Sequence, residues 1–261
     1  MFEHGFSSGP VPLYYELHGE RKDRPPLLLI HGGASTIETN WAAALPRFSA
    51  TRRVIAVELQ GHGRTPSADR PARFESSADD LAGLISELGL GPVDVLGFSN
   101  GGQVALMLAM RHPSAIRRLI VASAGITRDS LVDNFWVGLA HPELSGMPEI
   151  YHRAHLAVNG GDAVHLRRMF DSDVDLMVNG FEDFAAGDLA RIEARTLILG
   201  ADDDVPSVES LAWAARTIPG ARLMIVPGNH GNYLGEEFTS NGDLGVMERT
   251  LPWLTAFLDG A

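Results

Sequence analysis

The sequence predicts an α/β chain: a mostly parallel, doubly wound sheet with a small helical cap inserted between two of its strands. Three observations carry this. Short apolar runs recur and each ends near Gly, Asp or His; helical patterns separate them; and one long stretch, from Thr127 to Gly187, breaks the alternation. In chain order, an antiparallel hairpin is expected first, from Phe2 to Gly5 and Leu13 to His18. Leu27 to Ile30, behind Pro25-Pro26, is an unbroken apolar run too short for a helix and suited to a strand covered on both faces. Val54 to Leu59, Val93 to Phe98, Leu119 to Ser123, Thr196 to Leu199 and Leu223 to Val226 share that character. Between them, Ala78 to Leu88 is closed by Gly89, Gly101 to Arg111 stops before Pro113, and Ser207 to Ile218 stops before Pro219-Gly220, as helices do. A helix from Gly245 to Leu258 is expected to close the fold. Ser130 to Ala140, Glu149 to Val158 and Ala163 to Phe170 are short amphipathic pieces whose apolar residues, Phe135, Trp136, Leu139, Tyr151, Leu156 and Phe170, argue against a disordered linker. Residues 127–187 therefore read as the cap, and 1–126 with 188–261 as the core.

Composition narrows the function classes. The 261 residues are 45% hydrophobic, enough for one domain with a core of ordinary size. A net charge of -12, spread along the chain, disfavours nucleic acid and anionic membranes as partners. The absence of cysteine removes disulfides, thiolate chemistry and Cys-based zinc sites. Met1 to Pro10 holds no apolar run long enough for a signal sequence or a membrane span, so a cytoplasmic protein is the expectation.

The chemistry concentrates at strand ends. Val93 to Phe98 runs into Gly97-Phe98-Ser99-Asn100-Gly101 and a helix follows at once, the context of a nucleophile elbow: a turn so tight that the positions two before and two after the serine must lack side chains. Ser99 is then expected in a strained conformation at a helix N-terminus, where developing negative charge is favoured. Attack on a carbonyl needs preorganised donors for the oxyanion. Asn100 N–H is one candidate, and the loop His31-Gly32-Gly33-Ala34 supplies the other, Gly33 N–H, with Ala34 as the alternative and His31 in a structural role. An orienting acid belongs after a later strand, and Asp202-Asp203-Asp204 follows Thr196 to Leu199; the residues alone leave all three open. Of ten histidines only His230 follows the last expected strand, in Gly228-Asn229-His230-Gly231, which makes it the candidate general base. His152, His155 and His165 have no acidic or Cys companions at ligand spacing and read as helix residues, so no metal is expected, and no organic cofactor either.

With these motifs assembled, the chain resembles the α/β-hydrolase superfamily, in particular bacterial enzymes similar to small esterases, cofactor-free haloperoxidases and proline iminopeptidases. The resemblance rests on Leu28-Leu29-Ile30-His31-Gly32-Gly33, on Val57-Glu58-Leu59-Gln60-Gly61-His62-Gly63-Arg64-Thr65, on the elbow, and on the acid and histidine turns. Laid without a gap on the family's acid turn, Thr196 to Asp204 puts the orienting acid at Asp204; Gly200-Ala201 and the early Pro206 depart from that pattern and keep Asp203 as the alternative. Glu58 stands where the family commonly has Asp. Ser99 separates the chain from the branches that carry Asp at the elbow, the haloalkane dehalogenases and epoxide hydrolases. The resemblance implies a serine hydrolase of small carboxylic esters working through Ser99, His230 and Asp204 and an acyl-enzyme. Two alternatives accompany it. A carbon–carbon bond hydrolase of meta-cleavage type is suggested by the run from His31-Gly32-Gly33 to Asn40-Trp41, although this loop is shorter and lacks a Gly-Pro-Gly element. A non-catalytic ligand-binding relative is the other.

Overall fold

The structure is a computed structural model and describes residues 2–20 and 23–260; the expected core limits at residues 1 and 261 lie outside them. Its strands are β1 (Glu3–Phe6), β2 (Tyr14–His18), β3 (Leu27–Ile30), β4 (Val54–Val57), β5 (Val93–Phe98), β6 (Ile116–Ala122), β7 (Arg195–Asp203) and β8 (Arg222–Asn229). They form one sheet in the order β1-β2-β4-β3-β5-β6-β7-β8. β2 runs antiparallel to β1 and to β4, and the remaining pairs are parallel. This is the expected α/β architecture with its opening hairpin.

The central strands show why uninterrupted apolar runs were required. Along β3, Leu28 and Ile30 enter one core and Leu27 and Leu29 the other, so both faces are buried and neither can be polar. One face is covered by the helices Phe74–Glu87, Asn100–Arg111 and Val208–Thr217, through Leu81, Leu84, Val104, Leu108, Leu211 and Ala214. Trp41 and the helix Gly245–Asp259 cover the other, through Met247, Leu251 and Leu254. Among the described residues, no helix is long and apolar enough to cross a membrane.

The differences from expectation fall mostly at element ends. The third strand pair on the site side runs on past its apolar core: β7 continues to Asp203 and β8 through Pro227 and Gly228 to Asn229, with Asp203 paired to Asn229 across a register shift. Polar residues carry that extension, so hydropathy does not register it. Gly228 N–H donates to Asp202 Oδ1 at 2.8 Å and stitches the two strand ends together. β4 stops at Val57, two residues before the expected Leu59, and the helix over Ala78 to Leu88 begins earlier, at Phe74, which is buried. Two short helices, Ile37–Trp41 and Leu45–Ser49, follow β3 in a region for which the sequence reading offered no element.

Between β6 and β7 the described chain adds no strand to the sheet and forms the helices Asp133–Ala140, Glu149–Val158 and Ala163–Asp175. The last of these outruns the expected Phe170 by more than a turn, a point with consequences for the site. The boundary placed at residue 187 falls inside the short helix Ala186–Leu189, whose Leu189 is fully buried in the core and belongs with it.

Candidate active site

Ser99 stands where β5 gives way to the helix Asn100–Arg111, with φ 53° and ψ -122°. A non-glycine residue is held there only when its surroundings over-determine it. They do so by contact and by hydrogen bonding. A Cβ on Gly97 would lie 2.1 Å from the Gly101 carbonyl oxygen, and one on Gly101 would lie 2.3 Å from the carbonyl oxygen of Ile30. Both glycines are required because backbone passes where a side chain would start. Ser99 N–H donates to Ala122 O at 2.8 Å, while Ser99 O accepts from Gly102 N–H at 2.8 Å and Gln103 N–H at 3.2 Å. The serine is pinned to β6 on one side and opens the helix on the other.

The ends of β7 and β8 bring the partners. His230 Nε2 lies 3.1 Å from Ser99 Oγ, and His230 Nδ1 lies 2.6 Å from Asp204 Oδ1. A carboxylate beside Nδ1 fixes the tautomer: Nδ1–H donates to Asp204, and the Nε2 lone pair faces the serine hydroxyl. Of the three adjacent acids, Asp204 alone faces His230; Asp202 holds Gly228, as above, and Asp203 is an exposed residue at the end of β7. Asp204 also accepts from Ala201 N–H at 2.9 Å, from Val205 N–H at 2.8 Å and from Ser123 Oγ–H, and the Tyr233 hydroxyl is hydrogen-bonded to that same Ser123 oxygen. Burial by itself raises the Asp204 carboxyl; hydrogen bonding and charge from His230, with the Ser123 and Ala201 donors, overcome it and hold the group below the usual carboxylate range. Ser123 and Tyr233 were not singled out from the sequence. The available signal was positional: Ser123 ends β6 at the same sheet edge, where it adopts φ 49°.

The loop after β3 lies over the elbow. A Cβ on Gly32 would sit 3.2 Å from Ser99 Cβ, and one on Gly33 would sit 2.8 Å from Asn100 Nδ2. Among the described residues, the Gly33 and Asn100 backbone N–H groups donate to nothing within the fold. Ala34, the alternative donor, is corrected by the structure: its N–H is engaged, donating to Asp173 Oδ2 at 2.6 Å. The loop is braced from below. Gly32 N–H donates to Asn40 Oδ1 at 2.7 Å. His31, fully buried, donates from Nδ1 to Gly32 O at 2.7 Å and accepts Leu59 N–H on Nε2 at 3.0 Å; burial pushes its pKa down to about 3, and it stays neutral. Glu58 is fully buried, accepting Ile37 N–H, just after the loop, at 3.4 Å, Arg64 N–H at 2.7 Å and a 2.8 Å ion pair from the Arg64 guanidinium, and burial pushes its carboxyl up to about 7.

Asp173, from the helix Ala163–Asp175, is the residue that sequence reasoning missed most completely. Its Oδ2 accepts from Ala34 N–H and also from His62 Nε2–H at 3.1 Å. His62 Nδ1 faces Gln60 O at 3.1 Å, so both ring nitrogens meet acceptors, an arrangement that favours the imidazolium. Burial alone lowers the His62 pKa, but the Asp173 charge and hydrogen bond prevail and raise it, while Asp173 is held below its ordinary range against burial by His62. A second contact from the same chain segment, Tyr151 Oη–H to Glu236 Oε1 at 2.8 Å, falls near the His230 loop. His155 accepts Gly63 N–H on Nδ1 at 3.3 Å. Among the described residues, no three His, Asp or Glu side chains gather in a metal-binding group.

A sheet of this order, with a strained serine between strand and helix, defines an α/β hydrolase in architecture. The family profile described as alpha/beta hydrolase fold matches residues 25–141, and the fold of the chain is that of the α/β hydrolases. It is 39% identical over 132 residues to a pimeloyl-[acyl-carrier protein] methyl ester esterase of Neisseria meningitidis, covering 49% of each chain. It is 37% identical over 109 residues to a 2-hydroxymuconate semialdehyde hydrolase of a Pseudomonas species, covering 39% of this chain and 38% of that one. The chain spans about half the length of curated relatives it matches, 45% and 49%. Over the full length it shares its fold with the carboxylesterase CesB of Bacillus subtilis, at TM-score 0.76 and 21% identity, covering 100% of this chain and 93% of that one.

Proposed function

We propose that the protein is a serine hydrolase of small-molecule carboxylic esters, acting through Ser99, His230 and Asp204. The observation that carries this reading is the single line of hydrogen bonds from Ser99 Oγ to His230 at 3.1 Å and on to Asp204 at 2.6 Å. In the first half-reaction, Ser99 Oγ attacks the ester carbonyl carbon as His230 Nε2 takes its proton. The oxyanion is received by Gly33 N–H and Asn100 N–H, neither engaged elsewhere among the described residues. His230 then gives its proton to the departing alcohol, and the acyl group stays on Ser99. Water, deprotonated by His230, attacks the acyl-enzyme, and collapse releases the acid and restores the serine. Asp204 holds the imidazole in the working tautomer throughout. The similarity to an esterase supports this substrate class.

Carbon–carbon bond hydrolysis is the second reading, supported by the likeness to a semialdehyde hydrolase. The experiment that separates the two compares kcat/KM on p-nitrophenyl acetate and on a vinylogous diketo acid. Ester preference is expected, and strong preference for the diketo acid overturns the assignment. Alongside it, mass spectrometry after fluorophosphonate treatment is expected to find one adduct, on Ser99, and none in Ser99→Ala. A folded wild type that takes up no label would instead indicate a non-catalytic binding protein.

A further inference from the structure

The cleft beside the Gly33 loop is lined by the apolar Leu59, Ala72, Val104 and Leu176, by the polar Gln60, His62 and Ser77, and by Gly33 and Asn100. Its volume is about 10 Å³, room for a single water or a methyl group. Asp173 is the one acidic side chain in its lining. That carboxylate is no loose surface acid: it lies between Ala34 N–H and the His62 ring, and a Cβ on Gly33 would be 3.2 Å from its Oδ2. Its helix is fixed by packing of Leu166 and Met169, both buried, against Tyr151, Phe170 and Ala34. Two residues on, Asp175 is held by Arg73 at 2.8 Å.

Substrate geometry gives this carboxylate a meaning, on the reading that the protein is a serine esterase. The leaving alcohol must face His230, which returns a proton to it. The carbonyl oxygen must face Gly33 and Asn100. The acyl chain is left with the side on which His230 does not lie, and there it meets Asp173, whose Oδ2 lies 3.2 Å from a Cβ on Gly33. We propose that Asp173 is the specificity-determining residue of the acyl side, restricting the protein to esters of short, uncharged acids. Size acts first, since a chain longer than acetyl meets the carboxylate and its two hydrogen-bonded partners. Charge acts second, because Asp173 Oδ2 is the charged atom nearest Gly33, and an acid-bearing acyl chain meets that carboxylate before the His62 ring paired with it.

The test measures kcat/KM for p-nitrophenyl acetate, butanoate and hexanoate and for the mono-p-nitrophenyl ester of adipic acid, in wild type, Asp173→Ala and Asp173→Asn. Wild type is expected to fall by about tenfold or more from acetate to hexanoate, within the range by which added methylenes are discriminated. Asp173→Ala should recover about tenfold on hexanoate relative to acetate. Asp173→Asn, of unchanged size, should keep the chain-length ranking and raise the adipate ester relative to hexanoate; it also reads the charge effect should the alanine variant fail to fold. A wild type that cleaves hexanoate as fast as acetate, or an Asp173→Ala profile parallel to wild type, overturns the proposal while ester hydrolysis stands. Failure to turn over any ester counts against ester hydrolysis itself. The relative rates at which methyl- and hexyl-phosphonofluoridates label Ser99 then still decide whether Asp173 sorts by size, and a serine that takes neither label overturns both readings.

Discussion

On the His230 side of Ser99 the site is made by strand ends, and on the Gly33 side by a loop clasped from a distant helix. Asp204 and His230 follow β7 and β8, neighbours in the sheet, so register alone brings them together. The Gly33 loop depends on Asn40, His31, Glu58, His62 and Asp173, which come from four separate stretches of chain. The first side follows from topology and tolerates little variation in distance. Buried titratable groups, Glu58 and the His62–Asp173 pair, hold the second, and their contribution depends on protonation. The two sides should therefore answer differently to substitution and to pH.

The largest expected effect lies on the His230 side. Asp204→Asn should lower kcat on p-nitrophenyl acetate by about 10³ to 10⁴-fold, because the amide no longer fixes the imidazole tautomer. Asp203→Asn, one residue away and facing solvent, should leave kcat within about twofold. Equal losses in the two variants would break the distinction between them.

Next in size is a pH effect on the Gly33 side. The Glu58 carboxyl is raised from 4.5 to about 7, so between those values the folded chain keeps a proton that the unfolded chain releases. That contribution is fully present below pH 4.5 and is lost as pH rises through 7. At about 1.4 kcal/mol per pKa unit, the loss approaches about 3 kcal/mol. Urea midpoints from pH 5 to 8 should fall accordingly, and Glu58→Gln should flatten the slope. An unchanged slope in that variant would assign the pH dependence elsewhere.

A smaller effect sharpens the comparison from within the His230 side. Ser123→Ala removes a donor from Asp204 and strands the buried Tyr233 hydroxyl, a change of about 1–3 kcal/mol that should appear as a roughly tenfold or greater fall in kcat with little change in KM. Tyr233→Phe, which leaves the Ser123 bond to Asp204 in place, should cost less. If KM moved and kcat did not, the pair would be acting on substrate binding and not on the acid.

What could be read in advance divides along the same line. Leu27 to Ile30 and Val93 to Phe98 begin and end as hydropathy indicates, because a strand covered on both faces must be apolar throughout. The glycines of the elbow were legible since a backbone clash leaves a residue type as its trace. Asp204 was not separable from Asp202 and Asp203 by residue type; a register shift after Ala201 decides which acid turns toward His230, and no local pattern encodes it. Asp173 left no trace at all. Its helix, expected to end at Phe170, carries on to Asp175, and a polar residue in a final helical turn looks the same whether it faces water or an amide 139 positions away.

The crowding around Gly97 and Gly101 also bears on how such a protein can change its chemistry over generations. The atoms nearest a Cβ on either glycine are backbone of Gly101, Ile30 and His31 and the side chain of Ala105, so positions 97 and 101 admit no side chain while the nucleophile between them remains replaceable. A lineage could exchange that one group for another nucleophile while the mould around it stayed fixed. New substrates would have to come from the far wall, where any change at Asp173 must still leave the Ala34 end of the Gly33 loop held.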